Sequence, residues 1–137
     1  MFQLIVAVIS IALVAALAIA SIFYGGDAFT KSSEKAVVTT LINQGQQIAG
    51  AAALYKTDHG VAVASTDEVV DGSHELVTEG YLAAAPAGAK VTTGNWYINA
   101  DDARIEFDSA ADVSSVCDEV ARQGAGGCDS GYFYFDL

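Results

Sequence analysis

The chain opens MFQLIVAVISIALVAALAIASIFY, a run without a single charged residue, and this stretch limits the architecture more than anything after it. Apart from the Tyr24 hydroxyl, its only polar side chains are Gln3, Ser10 and Ser21. As an α-helix rising about 1.5 Å per residue it reaches roughly 36 Å, enough to cross a hydrocarbon core of about 30 Å with some tilt. A secretory signal carries a positively charged n-region, a shorter apolar core and a small-residue cleavage site. None of that polarity is present. The stretch reads as a membrane segment over residues 1–26, with its leader expected to have been removed before Met1, and residues 27–137 read as one small headpiece.

All seventeen acidic and all six basic residues fall from Asp27 onward, so the net charge of -11 belongs to the headpiece. A phosphate backbone is held by clustered Lys and Arg, and this balance argues against direct nucleic-acid binding. It argues equally against docking on anionic lipid headgroups.

Two cysteines, Cys117 and Cys128, are the whole thiol inventory. Metal ligation would want more Cys or His nearby, and His59 and His74 are distant in sequence. An exported domain with two cysteines usually pairs them. Closing so short a loop is worth roughly 3 kcal/mol on the loop-entropy account. The pair reads as a disulfide in an extracytoplasmic domain.

Gly25-Gly26-Asp27 marks the first break, and Ser32 or Ser33 with Glu34 offers a helix start. Behind it, Val38, Leu41, Ile42, Gly45, Ile48, Ala49, Ala52 and Tyr55 recur at helical spacing. Thr39, Thr40, Asn43, Gln46, Gln47, Ala53 and Lys56 occupy the opposite side. That is an amphipathic helix ending near Asp58-His59-Gly60. Two readings compete at Gly25 and Gly26, one long helix running through with a flexible point or a locally unwound helix; two consecutive glycines cost about 2 kcal/mol of helix propensity, which favours some unwinding. A loop, VAVASTDEVVDGS, follows, then a short helix from Ser73 to Glu79 stopped by Gly80, with Leu82 and Pro86 in extended chain.

The last third changes period. Val91–Thr93, Trp96–Ile98 and Arg104–Phe107 read as strands, with turns at Gly94-Asn95 and at Asn99 to Asp102. Val113, Val116, Cys117, Val120 and Ala121 share one face of a helix capped by Asp112 and stopped by Gly124. The ending GYFYFDL alternates Phe133 and Phe135 with Tyr132 and Tyr134. The disulfide is then expected to tie the penultimate helix to the last strand. The fold class is α+β: a long N-terminal helix packed on a C-terminal antiparallel β-sheet, with a disulfide near the C-terminus.

This order of features resembles a type IV pilin over the whole chain. Four features carry the resemblance. An uncharged apolar N-terminus runs into an amphipathic helix, and LVTEGYLAAAP, residues 76 to 86, is similar to the family's helix-to-sheet loop. Trp96 and Ile98 begin sheet strands, and Cys117 and Cys128 bracket the disulfide region that pilins expose. Met1 as first mature residue, together with SSVCDEVARQ, resembles the type IVb branch, including pilins of conjugative thin pili.

The resemblance implies a function and a life history. A prepilin peptidase would leave Met1 as a free or methylated processed N-terminus. The first helix would wait in the inner membrane until an assembly ATPase drove it into an extracellular pilus. The filament core would be built from Phe2, Gln3, Leu4, Ile5, Val6, Val8, Ile9, Leu13 and Leu17, and the partner is the chain itself as a helical homopolymer. A helix apolar on every side suits lipid and suits a bundle of its own copies, and the alanines between Ala7 and Ala20 permit close approach. Two departures stand out. The family usually carries Glu at position 5, where this chain has Ile5, so registry falls to packing shape or to Gln3. The family's proline near position 22 is missing, which leaves Gly25 and Gly26 as the melting point or hinge.

Competing readings exist for the remaining polar groups. Asp67, Glu68 and Asp71, or Asp101 and Asp102, could hold calcium. The first cluster fails the EF-hand pattern, with Val69 at a ligand position and Thr78 at position twelve, and a solvated loop is the plainer reading. His59 and His74 read as surface histidines at helix ends. With no nucleophile motif, Cys–His pair or phosphate loop, the chain reads as a non-enzyme without a cofactor. Tyr132 to Phe135 could form a ligand-stacking strip, against the plainer reading of one packed face and one partly exposed edge. Thr92, Thr93, Ser114 and Ser115 could carry sugars, although no Asn-x-Ser/Thr sequon is present. Two alternatives remain for the whole chain: a secretion-system pseudopilin, which generally keeps the position-5 Glu, and a single-span envelope protein that never polymerises.

Overall fold

The apolar start and the amphipathic stretch behind it form one helix, α1 (Phe2–His59). The computed structural model describes residues 1–109, 111, 113–129 and 131–137, with the side chains of 27–29 outside the description. Contacts divide the chain into two units, Met1–Ser33 and Glu34–Leu137.

The unwinding expected at Gly25 and Gly26 is not found, because both residues are helical. Ser32 and Ser33 likewise lie inside α1 rather than starting a second helix. The physical reason is cooperativity. Propagating an existing helix through two glycines costs only their propensity, about 2 kcal/mol, whereas breaking it there exposes two new sets of unpaired backbone groups.

Within the second unit, the periodicity of α1 is realised nearly as drawn from the sequence, except that Ala49 is half-buried and Ala51 is buried in addition. Val38, Leu41, Ile42, Gly45, Ile48, Ala52 and Tyr55 are buried, while Thr39, Thr40, Asn43, Gln46, Gln47, Ala53 and Lys56 are exposed. Lys56 and His59 occupy the last turn, where cations suit the carbonyl end of the helix dipole. Gly60 then stops the helix at φ +73, a left-handed conformation that a side chain resists.

A five-stranded antiparallel sheet covers the buried face. Its strands are β1 (Glu68–Val70), β2 (Thr92–Ile98), β3 (Asp102–Phe107), β4 (Gly127–Cys128) and β5 (Tyr132–Asp136). They lie in the order β1-β2-β3-β5-β4. Two helices complete the unit, α2 (Glu75–Thr78) and α3 (Ser114–Gln123). Trp96, Ile98, Ile105 and Phe133 point inward from β2, β3 and β5 and meet Val38, Leu41 and Ile48 of α1, Leu76 of α2 and Val120 of α3 in one core. Trp96 and Phe133 make its centre, edge to face with ring centroids 6.0 Å apart.

Several expectations need correction. The stretch expected to be all loop contains β1, whose Glu68, Val69 and Val70 pair with Ile98, Tyr97 and Trp96. Gly94-Asn95 is not a turn. The chain runs on as one strand in which Thr92 faces Phe107 but Trp96 faces Ile105, so the two residues lie in a bulge. Of the two residues expected in extended chain after Gly80, Leu82 falls in a bend and Pro86 in chain without regular structure. On α3, Ala121 is exposed and Glu119 is buried in its place. That exchange is tolerable because Arg122 and Gln123, one turn on, both bond the Glu119 carboxylate. Asp112, the expected cap of α3, lies outside the described residues. Gly124 does end α3, at φ +66, as expected. β5 is not an edge, since β4 lies beside it.

Candidate functional site

Among the residues whose side chains are described, Met1–Ser33 buries almost nothing. Met1, Phe2, Leu4, Ile5, Val6, Val8, Ile9, Leu13 and Leu17 are each at least 54% exposed, and Gln3 is exposed among them. These side chains cover every side of the helix, leaving no polar face to turn toward water. By length and composition the helix can cross a membrane. Its hydroxyls suit a dry surrounding: Ser10 Oγ donates to the Val6 carbonyl at 2.8 Å and Ser21 Oγ to that of Leu17 at 2.9 Å. Neither is left needing a solvent partner. An apolar surface of this extent marks a membrane or protein interaction.

The second unit supplies a folded, acidic surface. Asp27 and Lys31 cancel within the first unit, so the whole charge of -11 falls on residues 34–137. The disulfide joins Cys117 of α3 to Cys128 of β4, with Cα atoms 5.4 Å apart. It therefore ties the helix to the short edge strand, not to the last strand as expected.

The sheet's outer face carries Tyr97, Arg104 and Tyr134 in one transverse register. Arg104 pairs with Asp67 and lies 5.8 Å from the centre of the Tyr132 ring. The alternation expected over 132–135 is present, with Phe133 buried and Tyr132 and Tyr134 on the half-exposed side. The tyrosine rings stand 6.1 Å apart and tilted. Arg104 is paired with Asp67, and the exposed Glu106 lies opposite Tyr132 in the register.

The acidic clusters are occupied with holding loops. Asn99 Nδ2 donates to Asp67 at 3.0 Å and to Asp102 at 3.2 Å. Asp71 accepts from the Ser73 hydroxyl at 2.6 Å and the Ser73 backbone N–H at 2.8 Å. Those bonds, the hydroxyl first, hold its carboxyl below the usual carboxylate range. Among the described residues no group of three or more His, Cys, Asp or Glu could hold a metal ion.

The histidines part company. His59 ends α1 and is exposed, as expected. His74 caps α2 but is buried, which corrects the expectation of a surface residue. Its Nδ1 accepts the Leu76 backbone N–H at 3.2 Å, so in the neutral ring the proton sits on Nε2. A nitrogen carrying a proton is not a metal ligand, and His74 does not present one here.

One polar constellation had no sequence signature. Where α1 ends, Tyr55 donates to Glu75 at 2.7 Å and Tyr81 donates to Asp58 at 2.8 Å. The His59 ring stacks on Tyr55 with centroids 4.1 Å apart. The bond to Glu75 is the main reason the Tyr55 phenol is pushed up to about 12, and the bond to Asp58 raises Tyr81 in the same sense. These groups fasten α1 to the α2 segment. They come from stretches some twenty residues apart, so no periodicity announced them.

A hollow beside α1 is lined by alanines with Lys56 and Asn99 as its polar side chains, and it brings together no nucleophile with a base. Comparison with protein-family models, with curated proteins and with solved structures finds no match.

Proposed function

We propose that this chain is the structural subunit of a type IV pilus-like filament, a pilin that polymerises through its hydrophobic N-terminal helix. The observation that carries the reading is α1 itself. Its first part is apolar and exposed on every side, and the same helix continues into the core of a disulfide-bearing domain. Such a segment needs a covering, and lipid and neighbouring copies of the same helix both supply one. The precursor waits in the inner membrane, a prepilin peptidase and the assembly machinery act on it, and residues from Phe2 to Leu17 become the core of an extracellular fibre. Ile5 offers no carboxylate to a neighbour's N-terminal amine, so registry comes from side-chain packing and from Gln3. The headpiece works as a polymer surface rather than as an enzyme.

The test is negative-stain microscopy of material sheared from cells expressing the chain, labelled with an antibody to the headpiece. Labelled thin filaments are the expected result. Protein abundant in membranes with no labelled filament overturns the reading in favour of a pseudopilin or a single-span anchored protein.

A further inference from the structure

Both histidines of this chain attend one short segment, and their geometries call for opposite protonation states. His74 is the N-cap of α2, and Glu79, its C-cap, lies across from His59. His74 is buried, and its Nδ1 accepts from Leu76 N–H as described above. Its Nε2 is buried without a hydrogen-bond partner, 3.8 Å from Glu68 Oε2 on β1. Protonation would put a second N–H on Nδ1, pointing at the Leu76 N–H. Two donors then face each other and the cap bond is lost. Glu68 is the acid near enough to draw the charged ring toward β1, with Asp71 in the preceding turn and Glu75 next along the chain as the other acids nearby.

His59 is built the other way. Its Nδ1 lies 3.3 Å from the Tyr55 carbonyl and its Nε2 lies 3.5 Å from Glu79 Oε2. Both partners accept, and only the imidazolium has a donor for each. At this end of α1 the titratable groups are Tyr55, Lys56 and Asp58 of α1, Glu75 of α2 and its C-cap Glu79, and Tyr81 packs edge-on against the ring with centroids 6.3 Å apart.

We propose that α2 is a proton-driven toggle, in which acid releases the His74 cap at its N-terminal end while closing the His59–Glu79 clamp at its C-terminal end. The anchorage of the segment thus passes from its own cap to the end of α1 as the medium acidifies. This inference stands whether or not the chain polymerises.

The experiment uses the full chain, isotope-labelled in detergent micelles, between pH about 7.5 and 5, the interval in which histidines switch. Solvent exchange of the Leu76 and Glu79 amides is measured relative to their intrinsic rates, alongside the ring nitrogen shifts of both histidines. The expected result is an Nε2-protonated neutral His74 at the upper pH and a loss of Leu76 protection of about fivefold on acidification, the equilibrium equivalent of one helix cap. Glu79 protection holds. His74→Asn, a cap that does not titrate, keeps Leu76 protection flat, and His59→Gln makes Glu79 lose protection together with Leu76. Leu76 protection that is constant in the native chain overturns the proposal. So does a His74 ring already charged at the upper pH, a reading that needs no variant to fold. Unchanged Glu79 protection in His59→Gln removes the clamp, and with it the toggle.

Discussion

The indole N–H of Trp96 donates to Gln44 Oε1 at 3.0 Å, so the chain's one tryptophan is joined to the long helix through a side-chain amide. The other end of that amide is also used, because Gln44 Nε2 donates to the Gly88 carbonyl at 3.3 Å. Trp96 is fully buried, and water cannot replace a lost partner there. Gln44→Leu is therefore expected to destabilise the domain by about 1–3 kcal/mol, the cost of an unsatisfied buried donor. Denaturant unfolding of native and variant chains gives the number. Trp96→Phe in the Gln44→Leu background should cost less than Trp96→Phe alone, because the orphaned donor leaves with the indole. Additive losses would show that the bond carries no coupling.

Gly45 and Gly50 lie on the same helix and should respond in opposite ways. A Cβ at Gly45 would come within 3.0 Å of three atoms of Phe135, so the ring of β5 rests directly on the helix backbone. Gly45→Val is expected to cost about 1–3 kcal/mol through overpacking. At Gly50 a Cβ meets nothing within 4 Å and the residue is exposed. Gly50→Ala should stabilise by up to about 1 kcal/mol through helix propensity alone. Thermal unfolding of the two variants separates close approach from propensity.

The Tyr55–Glu75 bond predicts a late alkaline transition. Tyr55 has its pKa raised to about 12, so the native state favours the neutral phenol. Its contribution is fully present below the ordinary tyrosine range near 10 and is lost as pH rises through about 12. Spectrophotometric titration should show a phenolate step near the top of that window, absent in Tyr55→Phe. The stability difference between native chain and variant should shrink across the same window. A native chain with no late step contradicts the assignment.

What the sequence disclosed and what it hid divide along physical lines. The faces of α1 were legible because burial recurs at helical spacing over many turns, from Val38 to Tyr55. The alternation in β5 was legible for the same reason at strand spacing. β1 escaped because three residues are too few to display a period, and its pairing with β2 is a long-range event. The bulge at Gly94-Asn95 passed for a turn because Gly and Asn serve both uses. Helix continuity through Gly25 and Gly26 shows cooperativity overriding local propensity. Glu119 in the face assigned to Ala121 was hidden because its acceptability depends on Arg122 and Gln123. The Tyr55, Asp58, Glu75 and Tyr81 cluster depends on two distant segments meeting, which composition and spacing do not encode.

Charge makes the last prediction, and it rests on the filament reading. The -11 of residues 34–137 would be repeated on every subunit, and it is a net excess that pairs such as Arg104–Asp67 and Arg122–Glu119 do not remove. Fibres carrying that surface repel at low salt, and the repulsion falls off over a Debye length of about 8 Å at physiological ionic strength. Monovalent salt should therefore weaken the repulsion gradually. A divalent cation does more, because it can sit between carboxylates of two fibres without needing a preformed cage of three ligands on either. Millimolar calcium or magnesium is expected to bundle purified filaments, raising light scattering well above that produced by sodium at matched ionic strength. Neutralising Asp67 and Asp71 alone should change this little, because both are engaged in loop bonds and the effect belongs to the whole surface. Equal scattering with and without the divalent ion would rule out bridging by the acidic headpiece.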